Sequence, residues 1–237
     1  MNDVDVRYIQ DTKIRQSFIN HLSELVLERR LELFKKVLSN RTRYITVVLE
    51  DIFQAQNASA VLRTCDCLGI QDVHVIESRY SFNINSEVDM SASKWLNIYR
   101  YNAPKYTSEQ AILSLKEKGY RIVATTPHDN DKFINDFDIN KGKFALVFGT
   151  ELTGLTKGAM NLADEYVKIP MYGFIESYNI SVSAALSLYE LVHKLKNSNI
   201  DYAIPTEEAE IILLAWLKKT VKNCHLVEKR FLDEYYK

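Results

Sequence analysis

The sequence predicts an α/β fold, a mostly parallel sheet with helices on both faces. Three observations carry that expectation. Short runs rich in β-branched and aromatic residues recur along the middle of the chain, among them YITVVL (44–49), RIVATTP (121–127), KFALVFGTE (143–151) and YVKIPM (166–171). Segments of helical apolar spacing separate most of them, so the order reads mostly β-α-β-α, which calls for parallel strands joined by crossovers. YITVVL and the ALVF of the 143–151 run carry their apolar residues mostly in succession rather than in alternation, as strands covered on both faces do. The 237 residues, 46% of them hydrophobic, are enough for one ordinary domain with small appendages.

Each element has its own signal. Residues 15–38 place Leu22, Leu25, Leu27, Leu31 and Phe34 at helical spacing, giving one or two helices with Arg29, Arg30, Lys35 and Lys36 on the polar surface. After the strand at 44–49, the loop EDIFQAQ leads into NASAVLRTCDCLG, a helix that Asn57 can cap and Gly69 can end. A strand around Val73–Ile76 completes a βαβ unit. Residues 78–93 have no clear period, and a connection of that length signals function or mobility. KWLNIYRYN reads as a short strand. Residues 107–118 read as a helix capped by Thr107 or Ser108 and ended at Gly119. Residues 155–163 form a short helix, and SVSAALSLYELVHKLK a longer one. Pro205 and Thr206 open a further helix, whose first turn carries Glu207, Glu208 and Glu210. The tail NCHLVEKRFLDEYYK reads as a last helix, basic and aromatic.

Bulk properties exclude several classes. No run of eighteen apolar residues exists, and MNDVDVRYIQDTKIRQ has no apolar segment of signal-peptide type, so a cytoplasmic location is expected. Cys65, Cys67 and Cys224 show no framework spacing, which argues against disulfides. The C-x-C pair is too tight for a zinc knuckle and has no second pair, so no metal site is expected. It reads as two small helix residues. Net charge is only -1, yet residues 1–45 carry nine Lys/Arg against six Asp/Glu, and residues 216–237 six against three. Both ends are +3 and the middle is therefore -7. Basic ends suit contact with phosphate, although charge runs also occur as plain solvated surface.

Ligands of such folds sit beyond the C-terminal ends of the strands. The loops there, 51–57, 124–128, 149–154 and 171–181, hold the unusual polar residues. Arg63 lies one and a half turns past Asn57, amid Ala60, Val61, Leu62 and Thr64. A buried arginine needs a partner, and a structural salt bridge with Asp66 or Glu151 competes with a catalytic role. FGTELTGL (148–155) is a tight strand-to-helix turn without the G-K-[ST] of a phosphate loop, and Glu151 in it suits a donor or a cation. On pattern alone a generic loop serves equally. In PMYGFIESYNIS (170–181), Gly173 allows a bend, and Ser177, Asn179 and Ser181 can each cap the helix that follows. Capping explains one of those residues but hardly the whole run. No histidine other than His128 lies in these loops, so no nucleophile triad is expected.

The three blocks NASAVLRTCD with Gly69, FGTELTGL, and IPMYGFIESYNISV occur in this order and in strand–loop–helix context. Together they resemble the motifs of the SPOUT methyltransferase superfamily, more narrowly its bacterial tRNA (guanosine-2'-O)-methyltransferases. The likeness runs from the basic helix ERRLELFKKVL through Glu190, and more loosely to the end. Tyr178, where relatives usually carry leucine, and Cys67, in place of a commoner small residue, depart from the pattern without removing a catalytic group.

The resemblance implies an α/β-knot whose segment of roughly 145–190 threads a deep trefoil. It implies residues 1–43 as a helical extension, 44–198 as the methyltransferase domain and 199–237 as a C-terminal helical extension. The cofactor it implies is S-adenosyl-L-methionine, held by Thr125, Thr126, Gly149, Glu151, Ile169, Met171, Ser177, Asn179 and Ile180. The catalytic set it implies is Arg63 as general base, Asn57 to position the arginine or the substrate, and Glu151, Ser177 and Asn179 around cofactor and ribose. Arginine is an awkward base, because a guanidinium holds its proton, so orientation and charge can be its main contribution. The implied substrate is guanosine 18 in the D-loop of tRNA, since a 2'-hydroxyl requires RNA rather than DNA. The implied assembly is a homodimer using helix 181–195 and the C-terminal helix. Arg29, Arg30, Arg41, Arg43, Lys218, Lys219, Lys229 and Arg230 are the expected backbone contacts. A 23S rRNA methyltransferase is the alternative, disfavoured because only about 43 residues precede the first strand. A non-catalytic RNA-binding protein would be expected to have lost Arg63, Asn179 or Glu151.

Overall fold

The computed structural model describes residues 11–126, 131–150 and 153–237, which form two compact units. Thr42–Tyr202 is the larger. Its described residues build a seven-stranded sheet in the order β3-β2-β1-β6-β4-β7-β5, every pairing parallel. The strands are β1 Ile45–Glu50, β2 Asp72–Glu77, β3 Asn97–Asn102, β4 Arg121–Thr125, β5 Lys132–Phe133, β6 Phe144–Phe148 and β7 Glu165–Lys168. β1, β2 and β6 are buried along their whole length. This accounts for the continuous apolar run of β6, while β1 and β2 also bury polar side chains, among them Thr46, Glu50, Asp72, His74 and Glu77.

Alternate residues of each strand feed two cores. Val47, Leu49, Val73, Val75, Leu146 and Phe148 pack beneath α3 (Ala55–Leu68) and α7 (Ile180–Lys196). Val48, Ile76, Ala145, Val147 and Ile122 pack beneath α5 (Ser108–Glu117) and α6 (Lys157–Leu162). Helices therefore cover both faces. The irregular segment after β2 contains one short helix, α4 (Ser86–Asp89), and a 3-10 turn at Ala92–Lys94.

Caps follow the local chemistry. Thr107 and Gln110 form a capping box at α5, and Gly119 beyond it has φ +81°. Gly69 ends α3 at φ +80°. The expected cap of α3 is displaced: Gln54 occupies the N-cap position without a side-chain bond, and Asn57 lies inside the first turn. Its side chain is thereby released from capping and meets another element.

The path of α7 sets the site. β7 lies on the outer side of β4, yet α7, which follows it, packs on α3. On its other side α7 meets the 3-10 turns Ile134–Asp136 and Ile139–Lys141, and Lys194 bonds the carbonyl of Asn135. Residues 169–179 thus carry the chain from the far strands back across the sheet.

The second unit contains the described residues up to Arg41 together with Ala203–Lys237. It holds α1 (Thr12–Glu24), α2 (Glu28–Leu38), α8 (Thr206–Thr220) and α9 (Cys224–Tyr235). Arg15, almost fully buried, bonds Glu210 through Nε at 3.0 Å and Nη2 at 2.9 Å. Phe18 and Phe231 stack at 4.8 Å between centroids. Arg41 is buried with its guanidinium over Trp216, 5.5 Å from the ring centroid. This corrects its expected place among surface cations: the Trp216 ring face offers the buried guanidinium a cation–π contact that offsets part of the cost of leaving water.

Candidate active site

The site is built where β6, β4 and β7 end side by side. Register pairs Ala124 with Val147 and Thr125 with Val167, so Gly149 and Ile169 each lie two residues beyond a paired position. Thr125 spends its hydroxyl on the carbonyl of Val147 at 2.8 Å. The N–H of Thr126 donates to the carbonyl of Val167 at 3.0 Å, and its hydroxyl bonds Asp131. These two threonines lock the three strand ends together.

After β6 the chain turns sharply. Thr150 and Gly154 exchange both backbone bonds, at 3.1 and 3.0 Å, and the hydroxyls of Thr150 and Thr153 meet at 2.8 Å. Gly154 takes φ +65°. A Cβ at Gly149 would lie 2.3 Å from the carbonyl carbon of Gly154, so only glycine admits this closure. Glu151 lies outside the described residues, as does His128. At Gly173, by contrast, a Cβ would meet nothing within 4 Å, and crowding does not explain that glycine.

The first and third sequence blocks meet directly. Asn179 caps α7, its Oδ1 accepting from the N–H of Ser181 at 2.8 Å and from the Ser181 hydroxyl at 2.6 Å. That fixes the other end of its amide as the donor, and Nδ2 reaches Oδ1 of Asn57 at 3.2 Å. Asn57 is buried and in turn donates to Oε1 of Gln54 at 3.1 Å. The cap is therefore Asn179 rather than Ser177, which is exposed.

Arg63 corrects an expectation. It is exposed, not buried, on a stripe of α3 with Gln56 and Cys67, and it forms no ion pair with the described residues, Asp66 included. Six residues past Asn57 on a helix is about 240° of rotation, so the asparagine faces inward and the arginine outward. The structural salt bridge with Asp66 is thereby removed as the reason for Arg63; Glu151, the other expected partner, lies outside the described residues. Ile169 and Met171 are half-buried at the strand ends, and the Ile180 side chain lies in the core. Residues 172–178 are exposed, with Tyr172 at 97% and Phe174 at 108%.

Two further acids brace the site. Glu50, buried at the end of β1, accepts from the Thr156 N–H at 2.9 Å and its hydroxyl at 2.7 Å, fixing the start of α6 just after the glycine turn. Asp51, also buried, holds the loop after β2. Their signal was two carboxylates directly after an apolar strand, which must be solvated by protein if buried. Among the described residues no group of His, Cys, Asp and Glu could hold a metal, and no helix is long and apolar enough to cross a membrane.

Comparison with known proteins converges on one family. Residues 44–189 match the model of the SpoU rRNA Methylase family. A tRNA (guanosine(18)-2'-O)-methyltransferase of Borreliella burgdorferi is 44% identical, covering 89% of this chain and 94% of that protein. The protein of the same name from Thermus thermophilus is 32% identical, over 81% of this chain and 97% of its own length. The crystal structure of an Aquifex aeolicus TrmH/SpoU tRNA modifying enzyme superposes with a TM-score of 0.72 at 29% identity, over 83% of this chain and 98% of that one. The parallel sheet and the return of α7 onto α3 are consistent with the knotted fold of these enzymes. The chain belongs to the SpoU methylase family.

Proposed function

We propose that this protein transfers a methyl group from S-adenosylmethionine to the ribose 2'-hydroxyl of guanosine 18 in the D-loop of tRNA. The observation that carries the reading is the Asn179–Asn57 bond, which joins the end of the 169–179 segment to the helix bearing Arg63. Relatives of nearly the same length carry that activity in their names. The family description speaks of rRNA, but the likeness to the tRNA enzymes extends over 89% of the chain.

The residues fit the cofactor. The closed turn at Gly149 brings backbone to the strand ends with no side chain in between, and Ile169 and Met171 offer half-buried apolar surface beside backbone polar groups for an adenine. When bound, S-adenosylmethionine supplies an electrophilic methyl group on a sulfonium. The chain's own residues orient the nucleophile. Arg63, exposed and without an ion pair to the described residues, meets the ribose hydroxyl. As a guanidinium it accepts no proton but stabilises the negative charge on the oxygen, while the proton passes to a substrate phosphate or to water as the oxygen–methyl bond forms and the sulfur–methyl bond breaks. Asn57 and Asn179 hold the helix starts in place. Ser177 lines the pocket, while Thr125 and Thr126, whose hydroxyls bond protein, serve through backbone; a role for Glu151, outside the described residues, rests on the resemblance alone.

The Thr42–Tyr202 unit is read as the catalytic part and the terminal helices as the RNA-holding part. Exposed Arg29, Arg30, Lys219 and Lys229 serve the phosphates, whereas Lys218 is paired with Glu228, Arg43 with Asp72 and Arg230 with Glu234. Val182, Leu186 and Tyr189, an exposed apolar stripe on α7, supply the face of a homodimer. The working compartment is the cytoplasm, where tRNA matures.

The test is methyl transfer from labelled S-adenosylmethionine to unmodified tRNA and to 23S rRNA fragments, with the modified nucleoside mapped. Label on the ribose of the D-loop guanosine is expected. Label confined to rRNA would replace the substrate and keep the chemistry.

A further inference from the structure

Two aromatic rings stand in solvent just beyond β1 and β2. Phe53 is 66% exposed and Tyr80 41%, and they meet edge to face with centroids 4.9 Å apart. Exposed rings forgo the burial that ordinarily places them inside. The pair is held in place on both sides. Asp51 sits at φ +54° with its carboxylate buried, accepting from the N–H groups of Ser78 at 2.7 Å, Arg79 at 2.8 Å and Tyr80 at 3.4 Å, and from Nε of Arg79 at 3.2 Å. Ile52, next to Phe53, is anchored in the core. Phe53 precedes Asn57 by four residues and Arg63 by ten, on the loop that enters α3.

We infer that Phe53 and Tyr80 form a stacking platform for a nucleobase of the RNA substrate, with Arg79 meeting a neighbouring phosphate. The inference rests on the RNA-methylating reading above and assigns it a recognition surface. Unpaired RNA bases are recognised by stacking on aromatic rings beside cations, because every base offers a π-face. The Arg79 side chain is half-exposed with its Nε on Asp51, so a cation stands beside the rings. The apolar patch is small and bordered by exposed Gln54, Gln56, Arg79 and Ser81, which suits one flat base better than a second protein.

The test uses the full-length protein and unmodified tRNA, comparing wild type, Tyr80→Phe and the double variant Phe53→Leu/Tyr80→Leu. The double variant is expected to raise KM for tRNA about tenfold or more. Thermal midpoint and S-adenosylmethionine affinity are expected to stay at the wild-type values, and Tyr80→Phe to keep KM within about twofold. An unchanged KM in the double variant overturns the platform. A changed oligomeric mass in that variant also overturns it and makes the pair a contact between copies. Failure of the wild type to methylate any RNA overturns the parent reading itself, an outcome distinct from active enzyme with unaltered KM.

Discussion

Asn179 donates its side-chain amide to Asn57 at 3.2 Å, across 122 residues of sequence, while the other end of the same amide caps α7. One side chain thus joins the start of α7 to the first turn of α3. Asn179→Asp keeps an acceptor for the cap but has no donor for Asn57. The aspartate variant is expected to retain stability within about 0.5 kcal/mol, and Asn179→Ala to lose about 1 kcal/mol with the cap. Both are expected to depress methyl transfer. Urea unfolding beside kinetics separates the two roles, and full activity in Asn179→Asp would remove the bridge from catalysis.

Arg63 is exposed and forms no ion pair with the described residues, so its removal leaves no buried charge behind. Arg63→Ala is expected to lower kcat by at least about a hundredfold, a contribution typical of a positioned acid–base group. Stability should change by less than about 0.5 kcal/mol. Calorimetric titration with S-adenosylmethionine should show nearly unchanged affinity. Near-normal transfer in this variant would overturn the catalytic assignment.

Gly149→Ala places a methyl group 2.3 Å from the backbone of Gly154. Backbone cannot yield as a flexible side chain does, so the turn must open. A cost of about 1–3 kcal/mol is expected, together with at least tenfold weaker S-adenosylmethionine binding. Gly173→Ala, where the added carbon meets nothing, is the control and should fold as the wild type does.

His74 is buried between Tyr99, stacked at 4.8 Å, and the Tyr101 hydroxyl, 3.0 Å from Nδ1. Burial, aided by the nearby Lys118 charge, pushes its pKa down to about 3. A histidine held neutral in the fold but free to protonate when unfolded weakens the fold as pH drops below about 6.5. The loss is expected to reach about 2 kcal/mol at pH 5 and to level off near pH 3. His74→Gln should flatten the part of the stability profile between pH 7 and 5, measured by denaturant midpoints. An equal slope in the variant would assign the acid sensitivity to other groups.

The strands and most helices were legible in the sequence because burial on both faces forces unbroken apolar runs, and because caps such as Thr107 and Gly69 act over a few residues. The three polar blocks were legible as a group because strand-end loops collect unusual residues. Which of them touch was not legible. The chain returns from β7 to α3 across two intervening strands, and no local period encodes that path. Burial had the same limit. Local neighbours suggested an inward Arg63 and a capping Asn57, and the basic chain ends an outward Arg41, and each was reversed in the fold. Helical rotation turned Arg63 to solvent, Trp216 drew Arg41 inside, and the helix began two residues before Asn57. Residue types and local propensities thus determined the elements and the chemical vocabulary of this protein. Long-range packing alone decided which groups face solvent, which face each other, and that Asn57 meets Asn179.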